Sequence, residues 1–484
     1  MDSDNVANGL TFDDVLLIPK KSTVRSRKEV DTTTRLSRHV ELKVPIVSAP
    51  MDTVTEHSMA ITIARAGGIG IIHRFMTVEQ QVEEVLKVKR SESIEIEQPY
   101  TLRGDEKLKD AKRLMAQYGV SGLLVLDDTG RLQGILTARD ILFERDSEKK
   151  ISDMMTGIKD MITAPPDTSL KEAGEILHRH KFEKLPLVDS QGKLRGLITS
   201  KDILSLEQHP NASKDGKGRL MVGAAIGVKS GYLQRAKALL DAGADVLVLD
   251  VAHAHSDITL DAIRTIKKAY PTAELIAGNV ATKEGTEDLI KAGADAVKVG
   301  IGSGAICITR IVTGAGVPQL TAILECTKIA DKAGVPIIAD GGIRTSGDIT
   351  KAIAAGASTV MVGSLLAGTE ESPGIIVVRE GRKYKLVRGM ASVAASYDRS
   401  ARESEQNEED SAIELIDYVP EGVEAFVEYK GSASEVVSQL VGGLRSGMSY
   451  CGAKAMPQLR GKGDFIRISQ AGLKESHPHD VEVI

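Results

Sequence analysis

From about residue 213 onward one unit recurs along the chain: a short β-branched run, a loop, an amphipathic stretch and a closing glycine. The runs DVLVLDVAH, ELIAGNVAT, AVKVGIG, PIIADGGI and STVMVGSLLAG are nearly continuous in apolar residues, which predicts buried parallel strands with loops at their carboxyl ends. Between them GYLQRAKALLDAGA, KEGTEDLIKAGA, TAILECTKIADKAG and SGDITKAIAAGA carry helical period and stop at glycine. Parallel neighbours need a crossover, so serial units of this kind predict an α/β chain folded as a (β/α)8 barrel. Two more strand candidates, VPIVSAP and GGIGIIH, precede residue 90. The barrel is therefore expected in two parts, residues 1–93 and 213–484, split by an insertion at 94–212.

Composition narrows the function classes. With 484 residues, no Trp, 6 Phe and 46 Gly, the chain suits a turn-rich α/β protein rather than an aromatic sandwich. A net charge of −5 with interspersed signs leaves no basic stripe, so DNA is not an expected partner. No long apolar run and no leader-like N-terminus are visible, which predicts no membrane association and a cytoplasmic location. Three cysteines without C-x-x-C spacing argue against a disulfide framework and a zinc site, so a special cysteine here acts as a thiol.

The insertion contains a repeat. VSGLLVLDDTGRLQGILTARDI, from Val120, returns as FEKLPLVDSQGKLRGLITSKDI, from Phe182. Gly130, Gly134, Thr137 and Asp140 recur as Gly192, Gly196, Thr199 and Asp202, at an offset of 62. The two units resemble tandem cystathionine-β-synthase (CBS) modules, whose Gly-x-x-Thr-x-x-Asp element binds the ribose of adenine nucleotides. Nucleotide sensing at Thr137, Asp140, Thr199 and Asp202 and a purely structural role both remain open.

Cys307 follows the predicted strand AVKVG and falls in a loop at the barrel face where this fold places reactive groups. A cysteine packed as a small hydrophobe is the alternative, but Gly300, Gly302 and Gly304 leave backbone groups uncovered, so the loop can approach a ligand or wrap a monovalent cation with carbonyl oxygens. The segments ADGGIRTSGD (Asp340, Gly341, Gly342) and MVGSLLAG (Gly363, Ser364) follow consecutive late strands, where barrels bind phosphate. With Asp340 able to accept from ribose hydroxyls, they suggest a nucleoside monophosphate. LDVAHAHS places Asp250, His253 and Ser256 at another strand end, with the two histidines expected as hydrogen-bonding rather than metal-bound groups.

The whole chain resembles the IMP dehydrogenase and GMP reductase family, through GLTFDDVLLIP, PIVSAPMDTVTE (Ser48, Met51), GGIGIIHR, the CBS-like insertion, GNVAT (Asn279), the cysteine loop, IADGGIRTSGDI, RGM (Gly389, Met390), VPEG (Glu421) and GLKESHPHD. The resemblance implies that Cys307 attacks C2 of a purine nucleotide, GMP or IMP, with Thr309 beside it, and that a nicotinamide exchanges hydride at that carbon. It implies substrate contacts at Ser48, Met51, Asp340, Gly341, Gly342, Gly363, Ser364, Gly389 and Met390, and cofactor contacts at Asp250, Val251, Ala252, Asn279 and Gly300. It further implies K+ held by the carbonyls of Gly302, Gly304 and Cys307, with Glu475, Ser476 and His477 of a neighbouring subunit or else a charged surface tail there. A homotetramer is expected, or octamers when ATP or GTP occupies the CBS pair.

Two reactions share the adduct. IMP dehydrogenases pass hydride to NAD+ and hydrolyse the adduct with an Arg-Tyr pair on a mobile flap. GMP reductases expel ammonia and take hydride from NADPH. Here the flap, about residues 391–418, has Arg399 followed by Ser400, with Tyr397 two positions earlier. Glu421 with Thr309 is expected to relay a proton to a leaving amine. Val251 and Ala252 after Asp250, Ile308 in C-I-T and RGMA resemble the CBS-containing reductases of trypanosomatids. Ser303, Ala305 and Val387 stand where the family pattern has proline, serine and tyrosine. The expected activity is NADPH-dependent GMP reduction, with IMP dehydrogenation and a catalytically silent nucleotide-sensing regulator as alternatives.

Overall fold

The computed structural model describes residues 6–92, 99–397, 419–478 and 481, apart from the side chains of Asp202, Ser205 and Leu206. Eight parallel strands close a barrel: β1 (Ile46–Ser48), β2 (Ile69–Ile72), β3 (Val222–Ile226), β4 (Val246–Asp250), β5 (Glu274–Val280), β6 (Ala296–Val299), β7 (Ile337–Asp340) and β8 (Thr359–Val362). Closure joins β8 to β1 and β2 to β3. The helices α1 (His57–Arg65), α2 (Val78–Ser91), α3 (Tyr232–Asp241), α4 (Asp257–Ala269), α5 (Lys283–Ala292), α6 (Gln319–Ala330), α7 (Ser346–Ala354) and α8 (Ala433–Tyr450) follow strands β1 to β8 in turn. This is the expected (β/α)8 fold.

Strand alternation builds two apolar layers. Val47, Ile69, Ile71, Val246, Val248, Ile276, Ile338 and Met361 point into the barrel. Their neighbours Ile46, Ile72, Leu247, Leu249, Leu275 and Val360 face the helices. Ala225, Val248, Ile276 and Ala296 lie level across four strands, so small and large side chains share one layer. A short hairpin, Thr34–Arg35 with Glu41–Leu42, stops one end of the barrel: Leu36 and Leu42 are buried among the interior residues.

One strand escapes the sequence reading. β3 reads VGAAI, where small residues dilute the β-branched signal, yet it pairs with both β2 and β4. After β8 the chain adds an antiparallel sheet, Ile376–Arg379, Arg382–Arg388 and Glu424–Glu428, which was likewise not expected.

By internal contacts the chain divides into one unit of Met1–Ser91, Asn211–Asp215 and Leu220–Ile484, and a second of Glu92–Pro210 and Gly216–Arg219. The second unit repeats a helix and two antiparallel strands: Leu108–Tyr118, Gly122–Leu126 and Leu132–Thr137, then Leu170–His180, Lys184–Val188 and Leu194–Thr199. The repeats exchange backbone bonds at equivalent turns, Leu132 N–H to Gly192 O at 3.1 Å and Leu194 N–H to Gly130 O at 3.2 Å. No helix among the described residues is long and apolar enough to cross a membrane.

Candidate active site

The loops after β6, β7 and β8 meet residues 389–391 and 421–423 at the carboxyl ends of the strands. Cys307 is half-buried in the loop after β6, just before a one-turn helix, Thr309–Thr313. Its thiol donates to Thr309 Oγ1 at 3.1 Å, and that hydroxyl donates to Glu421 Oε2 at 2.7 Å. Backbone pairing fixes this chain of groups. Cys307 forms an antiparallel bridge with Gly422; Ile308 N–H donates to Glu421 O at 2.8 Å, and Val423 N–H to Ile306 O at 3.0 Å. Glu421 N–H in turn donates to Ala391 O at 3.0 Å, and Gly389 N–H to Val423 O at 3.0 Å. A Cβ on Gly389 would lie 3.0 Å from the Gly422 Cα, so two glycines let these segments touch.

The second half of the site is a cradle. Gly341 and Gly342, just after β7, have φ of +92° and +78°, a conformation open to glycine. Gly363 follows β8 and precedes Ser364, and a Cβ there would come 3.1 Å from Met51 Sδ. Met51, Asp340, Gly341, Gly342, Gly363 and Ser364 lie at or just after the ends of β1, β7 and β8, with Met390 half-buried on the flanking segment. Ser48 is placed differently. Its hydroxyl is wholly buried and accepts from Thr55 Oγ1 at 2.9 Å, so it braces the β1 turn.

Between these halves lies a group the sequence reading missed. Lys298, mid-β6, is fully buried, and its ammonium donates to Asp250 Oδ1 at 2.7 Å, to Asp340 Oδ2 at 2.9 Å and to Asn279 Oδ1. Burial alone would push the ammonium's pKa down, but the two carboxylates outweigh it and the pKa is raised. A lone cation in the apolar run AVKVG was the available signal, because such a charge survives burial only when paired. Asp250 and Asp340 keep 24% and 23% of their side chains exposed, so each retains an open edge while anchored on Lys298. Asn279 is more committed: Nδ2 donates to Gly300 O at 2.6 Å and to Asp340 Oδ2 at 3.0 Å. It ties together loop ends that frame the site. Val251 and Ala252 follow Asp250 on the same rim.

A second unanticipated pair, Arg388 with Asp52 at 2.9 Å and 2.5 Å, joins the segment before Gly389 to the β1 loop. Ser303, standing where the family pattern has proline, donates to Asp340 O at 3.1 Å and so ties the cysteine loop by a hydrogen bond.

A model of the IMP dehydrogenase / GMP reductase domain matches residues 9–479. The chain belongs to this family. The inosine-5'-monophosphate dehydrogenase of Nitrosopumilus maritimus is 58% identical over 475 residues, 98% of each chain. That of Bacillus subtilis is 53% identical over 477 residues, 98% of this chain and 96% of the other. Among solved structures, a cysteine-to-alanine variant of GMP reductase from Trypanosoma brucei with guanosine 5'-monophosphate matches at TM-score 0.93 and 45% identity, covering 99% of this chain and 100% of that one. The same reductase with guanosine 5'-triphosphate matches at TM-score 0.81 and 42% identity, covering 97% and 99%. The IMP dehydrogenase / GMP reductase family consists of oxidoreductases of purine nucleotides that use NAD(P).

For the K+ implied at Gly302, Gly304 and Cys307, the loop offers neutral carbonyl oxygens, the donor set a monovalent cation takes. Gly304 O accepts Cys307 N–H at 3.2 Å and keeps a second lone pair, whereas Ile301 O is covered by the Arg310 guanidinium at 3.2 Å and 3.3 Å. Within the chain, Ser476 Oγ donates back to Gly472 O at 2.8 Å. Glu475 precedes it at the end of a short helix, and His477 N–H bonds to Lys474 O. Among the described residues no cluster of His, Cys, Asp or Glu could hold a metal, and His255 pairs with Asp288 at 3.0 Å instead.

In the second unit a cavity of about 260 Å³ is lined by Thr137, Asp140, Lys181, Phe182 and Lys184 among others. Thr137 N–H and Oγ1 both donate to Asp140 Oδ2 at 2.7 Å. Thr199 ends the equivalent strand of the second repeat, and Asp202 lies on the following helix, Ser200–Gln208. Arg399 and Ser400 lie outside the described residues, and Tyr397, just before them, is exposed.

Proposed function

We propose that the chain is a GMP reductase, converting GMP and NADPH to IMP, ammonia and NADP+. The observation that carries this reading is the continuous hydrogen-bonded chain from Cys307 through Thr309 to Glu421. The Cys307 thiol passes its proton through Thr309 to the Glu421 carboxylate and attacks C2 of GMP; the C2–N bond to the exocyclic amine then breaks as Glu421 returns that proton, through Thr309, to the departing ammonia. Bound NADPH supplies hydride to the same carbon. The sulfur then departs as thiolate, which a soft nucleophile does readily, and IMP is released.

Asp340 holds the sugar hydroxyls, and Gly341, Gly342, Gly363 and Ser364 take the phosphate through backbone N–H groups. The exposed edge of Asp250 and the adjacent Val251 and Ala252 face the dinucleotide, with Asn279 and Gly300 framing it. No Arg-Tyr neighbours occur between residues 391 and 418, which fits a reaction that need not activate water. The 45% identity to a reductase with bound guanosine 5'-monophosphate supports the same substrate.

A second reading, IMP dehydrogenation with NAD+, is favoured by the names of curated relatives 58% and 53% identical. Assays separate the two: reduced-nicotinamide absorbance falling with GMP and NADPH supports reduction, and faster formation of reduced cofactor from IMP and NAD+ overturns it. The inserted pair of repeats is read as a CBS module that takes ATP or GTP at the Thr137–Asp140 cavity, in keeping with the guanosine 5'-triphosphate complex of the trypanosomal reductase. A cytoplasmic homotetramer with K+ at the cysteine loop completes the proposal.

A further inference from the structure

Gln319, the first residue of α6, is only 3% exposed, and its amide serves two strands at once. Nε2 donates to Val299 O at 2.8 Å and to Asp340 O at 3.1 Å. Val299 ends β6, from which the Cys307 loop departs, and Asp340 ends β7, which carries the carboxylate read as sugar-binding. The Asp340 carbonyl takes a second hydrogen bond from Ser303 Oγ at 3.1 Å. It also stands so close to Gly300 that a Cβ there would lie 1.9 Å from it. On its other flank the stem of Gln319 comes within 3.5 Å of where a Cβ on Gly342 would be, with the Phe12 ring at 3.4 Å from the same point.

One side chain therefore touches the root of the thiol loop and the root of the Gly341–Gly342 cradle. Gln319 Oε1, by contrast, accepts no hydrogen bond among the described residues. Methionine or leucine would fill similar volume without burying an amide, so packing does not account for the residue; two donors aimed at two carbonyls do.

We propose that Gln319 is a positioning residue that sets the spacing between the Cys307 loop and the nucleotide-holding end of β7, with Ser303 as a second tie on the same carbonyl. This rests on reading Cys307 as the nucleophile toward a nucleotide held at Asp340, Gly341 and Gly342. The misplacement expected when the tie is cut is small, but reacting atoms tolerate little of it.

The test is Gln319→Glu beside Gln319→Met. The glutamate keeps the shape, and facing two carbonyl oxygens in a buried site raises its pKa, so it regains a donor when protonated and repels both carbonyls when ionised. Relative to the parent chain at the same pH, Gln319→Glu is expected to lose about tenfold to a hundredfold in kcat/KM for GMP at about pH 9 and to recover most of it at about pH 6. Gln319→Met, lacking any donor, loses a similar factor at both pH values. GMP protection of Cys307 against iodoacetamide, measured without dinucleotide, follows the same pattern. If Gln319→Glu tracks the parent at both pH values, or if its losses follow its melting temperature with no pH dependence relative to the parent, the positioning role is overturned. If GMP fails to protect Cys307 in the parent chain itself, the nucleophile reading falls and this inference falls with it.

Discussion

The Thr309 hydroxyl donates to the Glu421 carboxylate at 2.7 Å across 112 residues of sequence. The contact is built by the backbone as much as by the side chains, since Ile308 N–H bonds to the carbonyl of Glu421 itself. The Thr309 hydroxyl is thereby held 3.1 Å from the thiol, so in the proposed reaction the proton relay is oriented before any ligand arrives. Thr309→Val and Glu421→Gln should each lower kcat for GMP reduction by about 10²–10⁴ while leaving GMP affinity within a few-fold of the parent. Stopped-flow turnover and calorimetric binding check the two halves of that statement. A parallel loss of affinity would make the pair a substrate clamp instead.

Lys298 is the electrostatic centre of the strand ends. Replacing it with methionine leaves Asp250 and Asp340 facing each other without their shared cation, and breaking a buried pair in this way costs about 3–5 kcal/mol. Lys298→Met should therefore melt markedly lower than the parent, and the added mutation Asp250→Asn should recover part of the loss by removing one of the opposed charges. Thermal denaturation of the single and double variants checks this. Equal melting temperatures for Lys298→Met and the parent would contradict the assignment.

Glu84, on α2, gives a pH dependence with a definite sign. Burial works to raise its pKa, but hydrogen bonds from His57 and Lys87 prevail and hold it down at about 2, below the ordinary 4.5. A depressed carboxyl stabilises the fold above its unfolded pKa and loses that contribution as pH falls toward the folded value. Glu84→Gln should therefore be less stable than the parent at neutral pH, and the gap should close between about pH 4.5 and about pH 2. Denaturant unfolding across that range measures it.

The hairpin stopping the barrel predicts stability without chemistry. Leu36 is wholly buried among the interior side chains. Leu36→Ala should cost about 2–5 kcal/mol in unfolding free energy and leave kcat near the parent value at temperatures where the variant is folded. A loss of kcat at such a temperature would mean that the hairpin reaches the site.

Much of the barrel was legible because most of its strands are dominated by apolar residues and several crossover helices, those after β3, β5 and β7 among them, run into a glycine. β3 was not, since VGAAI carries little β-branched character and is made a strand by its neighbours on both sides. The antiparallel sheet was hidden for another reason: in RKYKLVR charges interrupt the alternation, and only Lys385 and Val387 of that strand are buried. At the candidate site, the placement of Cys307, Gly341 and Gly342 in loops after β6 and β7 could be read from position in the repeat. The tie between Thr309 and Glu421 could not, because no periodicity links residues so far apart, and that expectation came from family resemblance. Lys298 shows the same limit from the other side. Its strand was recognised, but its partners come from β4, β5 and β7, and a linear pattern does not reveal which strand ends converge.

The proposed reaction passes through a bond between Cys307 and the purine. The most direct measurement is peptide mass spectrometry of the chain acid-quenched during turnover with GMP and NADPH. A nucleotide-bearing peptide containing Cys307 is expected, absent from Cys307→Ala and absent when GMP is omitted. Turnover with the Cys307 peptide unmodified at every quench time, or turnover retained in Cys307→Ala, would contradict the proposed reaction.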